Sequence, residues 1–234
     1  MNTGNVFNLK SSNKPVYDIT KFTHLDYPQH LACIIWFQGC NMRCKYCYNK
    51  DIVFAKEGVY SIEDVLTFLR TRKSLLDAVV LSGGEATNHD LISLCKAIKD
   101  LGFLIKLDTN GTNIEQIKSL LQHKLIDYIA LDYKAPKYKF FTITHSHKYE
   151  AFSATLNLLI EENIDFEVRT TLHADLLNEE DINAIISDLH TRAYKHPYYI
   201  QEFKETSNNI GNLIKASKLF DKSKLSSKLK IIWR

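Results

Sequence analysis

The chain has 234 residues, of which 45% are hydrophobic and 24% are charged, so it can bury a sizeable core and is not disordered throughout. A net charge of +3 is too small to indicate a nucleic-acid partner, and no apolar run reaches the length of a membrane span. The N-terminal residues are polar and lack the apolar core of a signal peptide. These features predict a cytoplasmic protein with neither a nucleic-acid nor a membrane partner.

Strand-like and helix-like segments alternate along the chain after an N-terminal arm, residues 1–18. The predicted strands are short apolar runs at residues 31–37, 78–81, 103–107, 128–131, 166–170 and 198–201. Helical periodicity predicts a helix after each strand, the last one at residues 213–220. Ser61, Asn88 and Asn178 are suited to cap three of these helices, and Asp64 completes a capping box with Ser61. Residues 230–233 add either a final strand or a packed tail.

Six β-α units with nearly continuous apolar strands predict a parallel sheet that is covered by helices. Periodicity alone does not separate an open sheet from a barrel, but a count of six rather than eight favours an incomplete barrel. The predicted fold is therefore α/β, a partial (β/α)6 TIM-like barrel with parallel strands. Residues 19–234 are predicted to form a single domain.

The predicted strands end in residues with useful chemistry. In sheets and barrels of parallel strands, ligands bind beyond the carboxyl ends of the strands. The first strand leads into a loop with three cysteines. The later strands end in, or carry, Ser82-Gly83-Gly84-Glu85, Asp108-Thr109-Asn110-Gly111, Asp132-Tyr133-Lys134, Arg169, and Gln201 with Glu202. The sequence therefore predicts one polar rim that forms the active site.

The three cysteines of the loop, Cys40, Cys44 and Cys47, have the spacing C-x3-C-x2-C. A cubane iron–sulfur cluster is normally held by four thiolates, so three close thiolates indicate a cluster with one iron open to a small molecule. A structural zinc ion, with a fourth ligand from Cys33 or a histidine, is the alternative. Disulfides are disfavoured because five cysteines is an odd number. Cys33 and Cys95 lie in apolar patterns that are typical of core residues.

Two further groups have more than one interpretation. Gly83 and Gly84 form either a turn or a place where the backbone closely approaches a ligand. Asp108 and Asp132 are turn formers and helix caps, an acid/base pair, or oxygen ligands of a cation.

Five motifs occur in order between residues 24 and 203: Leu25-Asp26-Tyr27-Pro28, Phe37-Gln38-Gly39-Cys40-Asn41, Leu81-Ser82-Gly83-Gly84-Glu85, Leu107-Asp108-Thr109-Asn110-Gly111 and Leu131-Asp132-Tyr133-Lys134. Together they resemble the glycyl-radical-enzyme activases of the radical S-adenosylmethionine (SAM) superfamily. The resemblance is closest to the anaerobic ribonucleoside-triphosphate reductase activating proteins and next to pyruvate formate-lyase activating enzyme. The chain has Gln29, Tyr48, Ala86 and Gln201 where relatives often have glycine, histidine, proline and histidine.

The resemblance implies that Cys40, Cys44 and Cys47 hold a [4Fe–4S] cluster whose fourth iron is open to SAM. The SAM-binding residues that it implies are Tyr46 at the adenine, Gly83, Gly84 and Glu85 at the methionine amino group, Lys134 and Arg169 against SAM, and Asp108, Thr109 and Asp132 around a monovalent cation near the SAM carboxylate. It implies no catalytic side chain, because the cofactor carries the radical chemistry.

The implied reaction is reductive cleavage of SAM to a 5′-deoxyadenosyl radical, which takes a hydrogen atom from a glycine of a partner glycyl radical enzyme. Flavodoxin or ferredoxin is the implied electron donor. Two alternatives stay open. One is a radical SAM enzyme that acts on a small molecule or another peptide, and the other is a non-enzymatic structural zinc-binding module.

Overall fold

The computed structural model describes residues 14–162 and 164–234. Within them, one eight-stranded sheet contains β1 (Val16–Thr23), β2 (Ala32–Phe37), β3 (Ala78–Gly83), β4 (Leu104–Thr109), β5 (Tyr128–Asp132), β6 (Phe166–Leu172), β7 (Tyr198–Glu202) and β8 (Ile231–Trp233). The strands lie side by side in chain order. β1 runs antiparallel to β2, and every later neighbouring pair is parallel. The six predicted strands correspond to β2 through β7, and β8 forms where a strand or a tail was expected.

The helices in the described residues are α1 (Lys50–Phe54), α2 (Ile62–Arg70), α3 (Ile92–Asp100), α4 (Ile114–Gln122), α5 (Lys137–Thr144), α6 (Tyr149–Glu161) and α7 (Glu179–Thr191). The parallel strands alternate with helices, which confirms the predicted α/β fold with a parallel sheet. α1 and α5 were not predicted, because both are too short to repeat an apolar stripe. None of these helices is long and apolar enough to cross a membrane.

Both faces of the sheet are buried, which explains why its strands are nearly continuous apolar runs. One face carries residues such as Leu81 and Leu107, which belong to the large core cluster that includes the helices. The opposite face carries Ile34 and Val80, which belong to a smaller cluster. We call this opposite face the inner face of the sheet. Side chains alternate along a strand, so the next residue after Val80 on the inner face is Ser82. The inner face thus changes from apolar to polar toward the carboxyl ends of the strands.

Two of the predicted helix caps are confirmed. The Ser61 hydroxyl accepts a hydrogen bond from the Asp64 amide, and the Asp64 carboxylate accepts one from the Ser61 amide. Asn178 and Asp181 form the same reciprocal arrangement at the start of α7. These capping boxes satisfy amide donors that a helix leaves free in its first turn.

Asn88 does not cap α3, so that prediction is wrong. It lies in a short 3-10 turn, and α3 begins at Ile92. The Asp90 carboxylate accepts a hydrogen bond from the Ile92 amide at 3.2 Å. The Gln116 side chain accepts one from the Leu91 amide, also at 3.2 Å. The donors at the start of α3 are thus satisfied by residues that the helical pattern does not indicate.

The predicted boundary after residue 18 falls inside β1. Val16 is fully buried, pairs with Phe37 of β2 and forms a bridge to Tyr60. Among the residues of β1, only Val16 and Thr23 are buried, so this strand lacks the apolar run that identifies the others. Residues 1–13 of the predicted arm lie outside the described residues. The continuous sheet supports the proposal of a single domain, which includes β1.

The predicted helix at residues 213–220 is wrong, since this segment is irregular chain with bends. The Asp175 carboxylate accepts hydrogen bonds from the amide and hydroxyl of Ser217 and from the amide of Lys218, at 2.9 to 3.0 Å. The Gly211 amide donates to the Lys45 carbonyl at 2.7 Å. Contacts with distant parts of the chain therefore use amide groups that a helix would need internally.

Replacing Asp175 with alanine is expected to release residues 211–220, because three of the hydrogen bonds that hold the segment end on this carboxylate. We expect faster trypsin cleavage after Lys215 and Lys218, measured by limited proteolysis and mass spectrometry. Asp100→Ala, at the exposed end of α3, is the matched control. Equal cleavage rates in the wild type and both variants would show that Asp175 does not anchor the segment.

Candidate active site

A cavity of about 200 Å³ lies at the carboxyl ends of the strands. The twelve residues that the sequence analysis assigns to the site all line it: Cys40, Cys44, Tyr46, Cys47, Gly83, Gly84, Glu85, Asp108, Thr109, Asp132, Lys134 and Arg169. Gln201 also lines this cavity, whereas Glu202 lines a separate one. The fold therefore brings the predicted set together, and the role of each residue is still a prediction.

Backbone hydrogen bonds hold the cysteine loop against the end of α5. The amides of Arg43 and Lys45 donate to the carbonyls of Thr144 and Ile143, at 2.8 and 3.0 Å. Within the loop, the Met42 amide lies 3.4 Å from the sulfur atom of Cys40, to which it donates. Contacts within the protein thus fix the course of the loop.

The three thiols of the loop suit an iron–sulfur cluster. Burial raises the pKa of Cys40 and Cys44 to about 12 and also raises the pKa of Cys47. Metal coordination overcomes this cost, because a coordinating thiol is deprotonated. In residues 14–162 and 164–234, no three His, Cys, Asp or Glu side chains are grouped around the position of a single metal ion. In a cubane cluster each cysteine binds a different iron, so three separate thiols on one cavity wall are a fitting donor set.

Glu85 joins the ends of β3 and β4. Its carboxylate is 2% exposed and accepts hydrogen bonds from the amide and hydroxyl of Thr87, the hydroxyl of Thr109 and the amide of Asn110, at 2.6 to 3.2 Å. Burial raises the pKa of Glu85, although these donors favour the carboxylate. Glu85 therefore has a structural role at the rim in addition to the role that the resemblance implies.

Close packing at the ends of β2 and β3 requires glycine at positions 83 and 84. A Cβ atom on Gly83 would overlap the backbone of Phe37, and one on Gly84 would overlap the carbonyl group of Gly39. The Gly84 amide donates to the Phe37 carbonyl at 2.8 Å, and the Glu85 amide donates to the Gly39 carbonyl at 2.9 Å. Gly84 thus packs against the start of the cysteine loop, whereas Gly83 packs against the end of β2.

Charged side chains in β4 and β6 and at the end of β5 form a network next to the cavity, and all of its members except Lys106 line the cavity. Asp132 and Arg169 lie opposite each other in register, and Arg169 Nε donates to Asp132 Oδ1 at 2.5 Å. The Nη2 atom of Arg169 lies 3.4 Å from Asp108 Oδ2. The Nζ atom of Lys106 lies 2.6 Å from Asp108 Oδ1, and that of Lys134 lies 2.8 Å from Asp132 Oδ2. Three cationic side chains thus face two carboxylates.

The network keeps both aspartates ionised. Burial alone would raise the pKa of each carboxyl group. At Asp108, the positive charges of Arg169 and Lys106 outweigh the effect of burial. At Asp132, the positive charges of Arg169 and Lys134 outweigh it. The pKa values of both carboxyl groups therefore lie below the usual range. A carboxylate with a lowered pKa is a poor proton donor or acceptor near neutral pH. Of the three interpretations of this pair, general acid/base catalysis is therefore the least favoured.

Tyr46 connects the cysteine loop to the end of β5. Its side chain is almost fully buried, and its hydroxyl donates to the Lys134 carbonyl at 3.3 Å. The Lys134 ammonium lies 6.0 Å from the centre of the Tyr46 ring, at the limit of a cation–π contact. The two residues thus form one side of the cavity together.

Lys106 was not predicted to belong to the site, and Asn41 and Asn110 were named only within motifs, without a role of their own. Asn110 Nδ2 donates to Asn41 Oδ1 at 2.8 Å, and Asn41 Nδ2 donates to Thr112 Oγ1 at 2.7 Å. Lys106 has a signal in the sequence, because a lysine inside an apolar strand needs a buried partner. The contact between the two asparagines has no local signal in the sequence, because they are 69 positions apart.

The structure is an α/β protein with a largely parallel sheet and a cavity at the strand ends that three cysteines line. The family model of the radical SAM superfamily matches residues 34–189. The chain belongs to the radical SAM superfamily and is a radical SAM enzyme. Members of this superfamily use a [4Fe–4S] cluster and SAM. Membership in a family of enzymes excludes the non-enzymatic zinc-binding module.

Relatives confirm the resemblance to the activases. A Methanocaldococcus jannaschii protein that is provisionally named a glycyl-radical enzyme activating enzyme is 33% identical over 207 residues, or 81% of this chain and 84% of the relative. Pyruvate formate-lyase-activating enzyme of Clostridium pasteurianum is 33% identical over 113 residues, or 44% of this chain and 46% of the relative. A closer relationship to the anaerobic reductase activating proteins stays a prediction.

A solved structure confirms the fold. The crystal structure of Streptococcus suis SuiB bound to S-adenosylmethionine matches 79% of this chain with a TM-score of 0.63 and 16% sequence identity. The match covers 45% of the SuiB chain, so this chain spans less than half of that protein. At this identity the likeness concerns the fold alone.

Replacing Gly84 with alanine is expected to push the cysteine loop away from β3, because the added Cβ atom overlaps the Gly39 carbonyl. We expect a loss of about 3 kcal/mol in the free energy of unfolding, as for an overpacked core. Urea unfolding of the protein without its cofactors measures this loss.

The control is Gly102→Ala, which has open space around its Cβ position and strains only a left-handed backbone (φ +92°). It should cost about 1 kcal/mol. Equal losses in the two variants would contradict the proposed contact between the loops.

Proposed function

We propose that this enzyme activates a glycyl radical enzyme by removing a hydrogen atom from a glycine of that partner. The observation that carries the proposal is the single cavity in which three thiols meet the polar strand ends. The bound cluster and SAM would supply the one-electron chemistry for hydrogen-atom removal. Relatives named as activating enzymes support a protein glycine as the target.

The rim residues would bind and orient SAM. Cys40, Cys44 and Cys47 would hold the cluster. Lys134 and Arg169 present charged donors to the cavity. Together with Lys106 they carry three positive charges against the two negative charges of Asp108 and Asp132, and this excess suits the carboxylate of SAM. The burial of these groups in a small cavity supports exclusion of water from the reacting atoms.

The remaining proposed SAM contacts come from two neighbouring loops. Gly83, Gly84 and Glu85 would face the methionine amino group, and Tyr46 would seat the adenine. All four residues line the cavity, which supports these roles. The hydrogen bonds of Glu85 to the end of β4 would keep its loop in place when SAM binds.

Flavodoxin or ferredoxin is the electron donor that we propose. Arg43, Lys45 and Lys50 lie in the cysteine loop and at the start of α1, and Lys50 is exposed. Basic side chains next to the cluster loop support docking of an acidic donor protein. We propose the cytoplasm as the location, because free thiols persist in a reducing compartment.

Single replacement of Cys40, Cys44 or Cys47 by alanine is expected to abolish cluster assembly, because each would remove one of three iron ligands. After anaerobic reconstitution we expect about four irons per wild-type chain and less than one per variant chain. Iron and sulfide analysis, together with the visible absorbance of the cluster, measures the content.

Cys33→Ala and Cys95→Ala are the matched controls, because both residues are fully buried core cysteines away from the cavity. They should keep the full iron content. The ligand assignment would be overturned if a folded control variant lost its iron while a variant of Cys40, Cys44 or Cys47 kept it.

The activase proposal is tested by anaerobic incubation of the reconstituted enzyme with SAM, a reductant and a candidate glycyl radical enzyme. We expect a glycyl radical signal in electron paramagnetic resonance and one methionine released per radical formed. The control is a partner whose radical-bearing glycine is replaced by alanine, which should give no such signal. SAM cleavage without a radical on any candidate partner would favour a radical SAM enzyme for a small molecule or another peptide.

A further inference from the structure

Lys106 occupies an unusual place for a charged residue. It lies in the middle of β4, and its side chain is only 3% exposed. Its neighbours in register are Val80 on β3 and Tyr128 on β5. A buried ammonium group is costly unless it is paired. The Asp108 carboxylate, 2.6 Å away, is the partner that offsets this cost.

The Lys106–Asp108 pair lies where the resemblance implies a monovalent cation. Such an ion would be held by oxygen atoms of Asp108, Thr109 and Asp132, since hard cations prefer oxygen ligands. The Thr109 hydroxyl donates to Glu85 at 2.8 Å. The Asp108 Oδ1 atom, which a cation would need, is bonded to the Lys106 ammonium.

Each of the other carboxylate oxygens also has a donor. Asp108 Oδ2 accepts from the Ser82 hydroxyl at 3.1 Å and lies 3.4 Å from Arg169. The two oxygens of Asp132 are bonded to Arg169 and Lys134. A metal ion would have to displace one of three fixed positive groups and would be repelled by the other two.

We propose that the Lys106 ammonium replaces the monovalent cation in this enzyme, so that SAM binding needs no added K⁺ or Na⁺. Lys106 is a positioning residue that acts through Asp108, which lines the cavity. The proposal rests on SAM binding in this cavity and does not depend on which partner the enzyme acts upon. An ammonium group and K⁺ have the same charge and similar size. Removal of the lysine head group should therefore create a site that K⁺ fills.

The first test measures SAM affinity by equilibrium dialysis of the reconstituted enzyme, with tetramethylammonium as the sole cation of the buffer. Addition of K⁺ or Na⁺ should change the affinity of the wild type less than about twofold. Lys106→Met should lose at least about tenfold in affinity without K⁺, because it leaves a buried carboxylate oxygen unpaired. Added K⁺ should restore most of that loss. Lys106→Arg keeps the charge and should show no response to K⁺.

The second test uses the melting temperature of the protein without cluster or SAM. An ion that binds only the folded state raises this temperature. K⁺ should raise it for Lys106→Met beyond any general salt effect, and should not do so for the wild type. The matched control is Lys139→Met, which breaks the ion pair of Lys139 with the buried Asp181, outside the cavity lining. It should respond to K⁺ as the wild type does.

Two results would overturn the proposal. One is a severalfold gain in SAM affinity, or a specific rise in melting temperature, when K⁺ or Na⁺ is added to the wild type. The other is a Lys106→Met variant that binds SAM as the wild type does without any response to K⁺. If the Lys106→Met variant does not fold, the response of the wild type to K⁺ or Na⁺ still tests the proposal. If SAM does not bind, the melting temperatures still test it. Failure of the activase assay leaves both tests intact.

Discussion

Parallel pairing of β2 through β7 is the constraint on which the rest of the molecule depends. Parallel strands all end at the same edge of a sheet, so every loop that follows a strand is delivered to one rim. Residues as distant in sequence as Cys40 and Gln201 meet there in one cavity. The register is equally important, because it places Asp132 of β5 directly opposite Arg169 of β6.

Two buried polar junctions hold this rim together. At the first, Glu85 accepts four hydrogen bonds from the segment after β3 and from the end of β4 with the residue that follows it. At the second, Arg169 bridges Asp108 and Asp132, and lysines bind their remaining oxygens. Buried charges stabilise a structure only when all their partners are in place, so the loss of one member costs more than the pair contributes. The groups expected to bind SAM are therefore also groups that hold the loops, and their substitution affects stability and binding together.

The arrangement of the edges bears on the proposed partner. In the described part of the chain, the strand order begins at β1 and ends at β8, and these two strands are not neighbours in the sheet. Only two of the eight residues of β1 are buried, and β8 is only three residues long. A barrel that is open along one side supports access for a segment of a large protein substrate. The same opening would let water reach the cavity, so a bound partner would contribute to its exclusion.

The sequence by itself determined the parallel α/β fold, the positions of β2 through β7 along the chain and twelve of the residues that line the cavity. These follow from local patterns: apolar runs mark strands, and the chemistry of strand ends repeats from one β-α unit to the next. The tertiary structure decided what local patterns do not encode. β1 forms because the edge of β2 is available for pairing. Residues 213–220 do not form a helix because Asp175 binds two of their amides. Glycine is required at position 84 because the cysteine loop passes there. The role that we propose for Lys106 also depends on the tertiary structure, since only the fold brings its charge together with those of Asp108, Arg169 and Asp132.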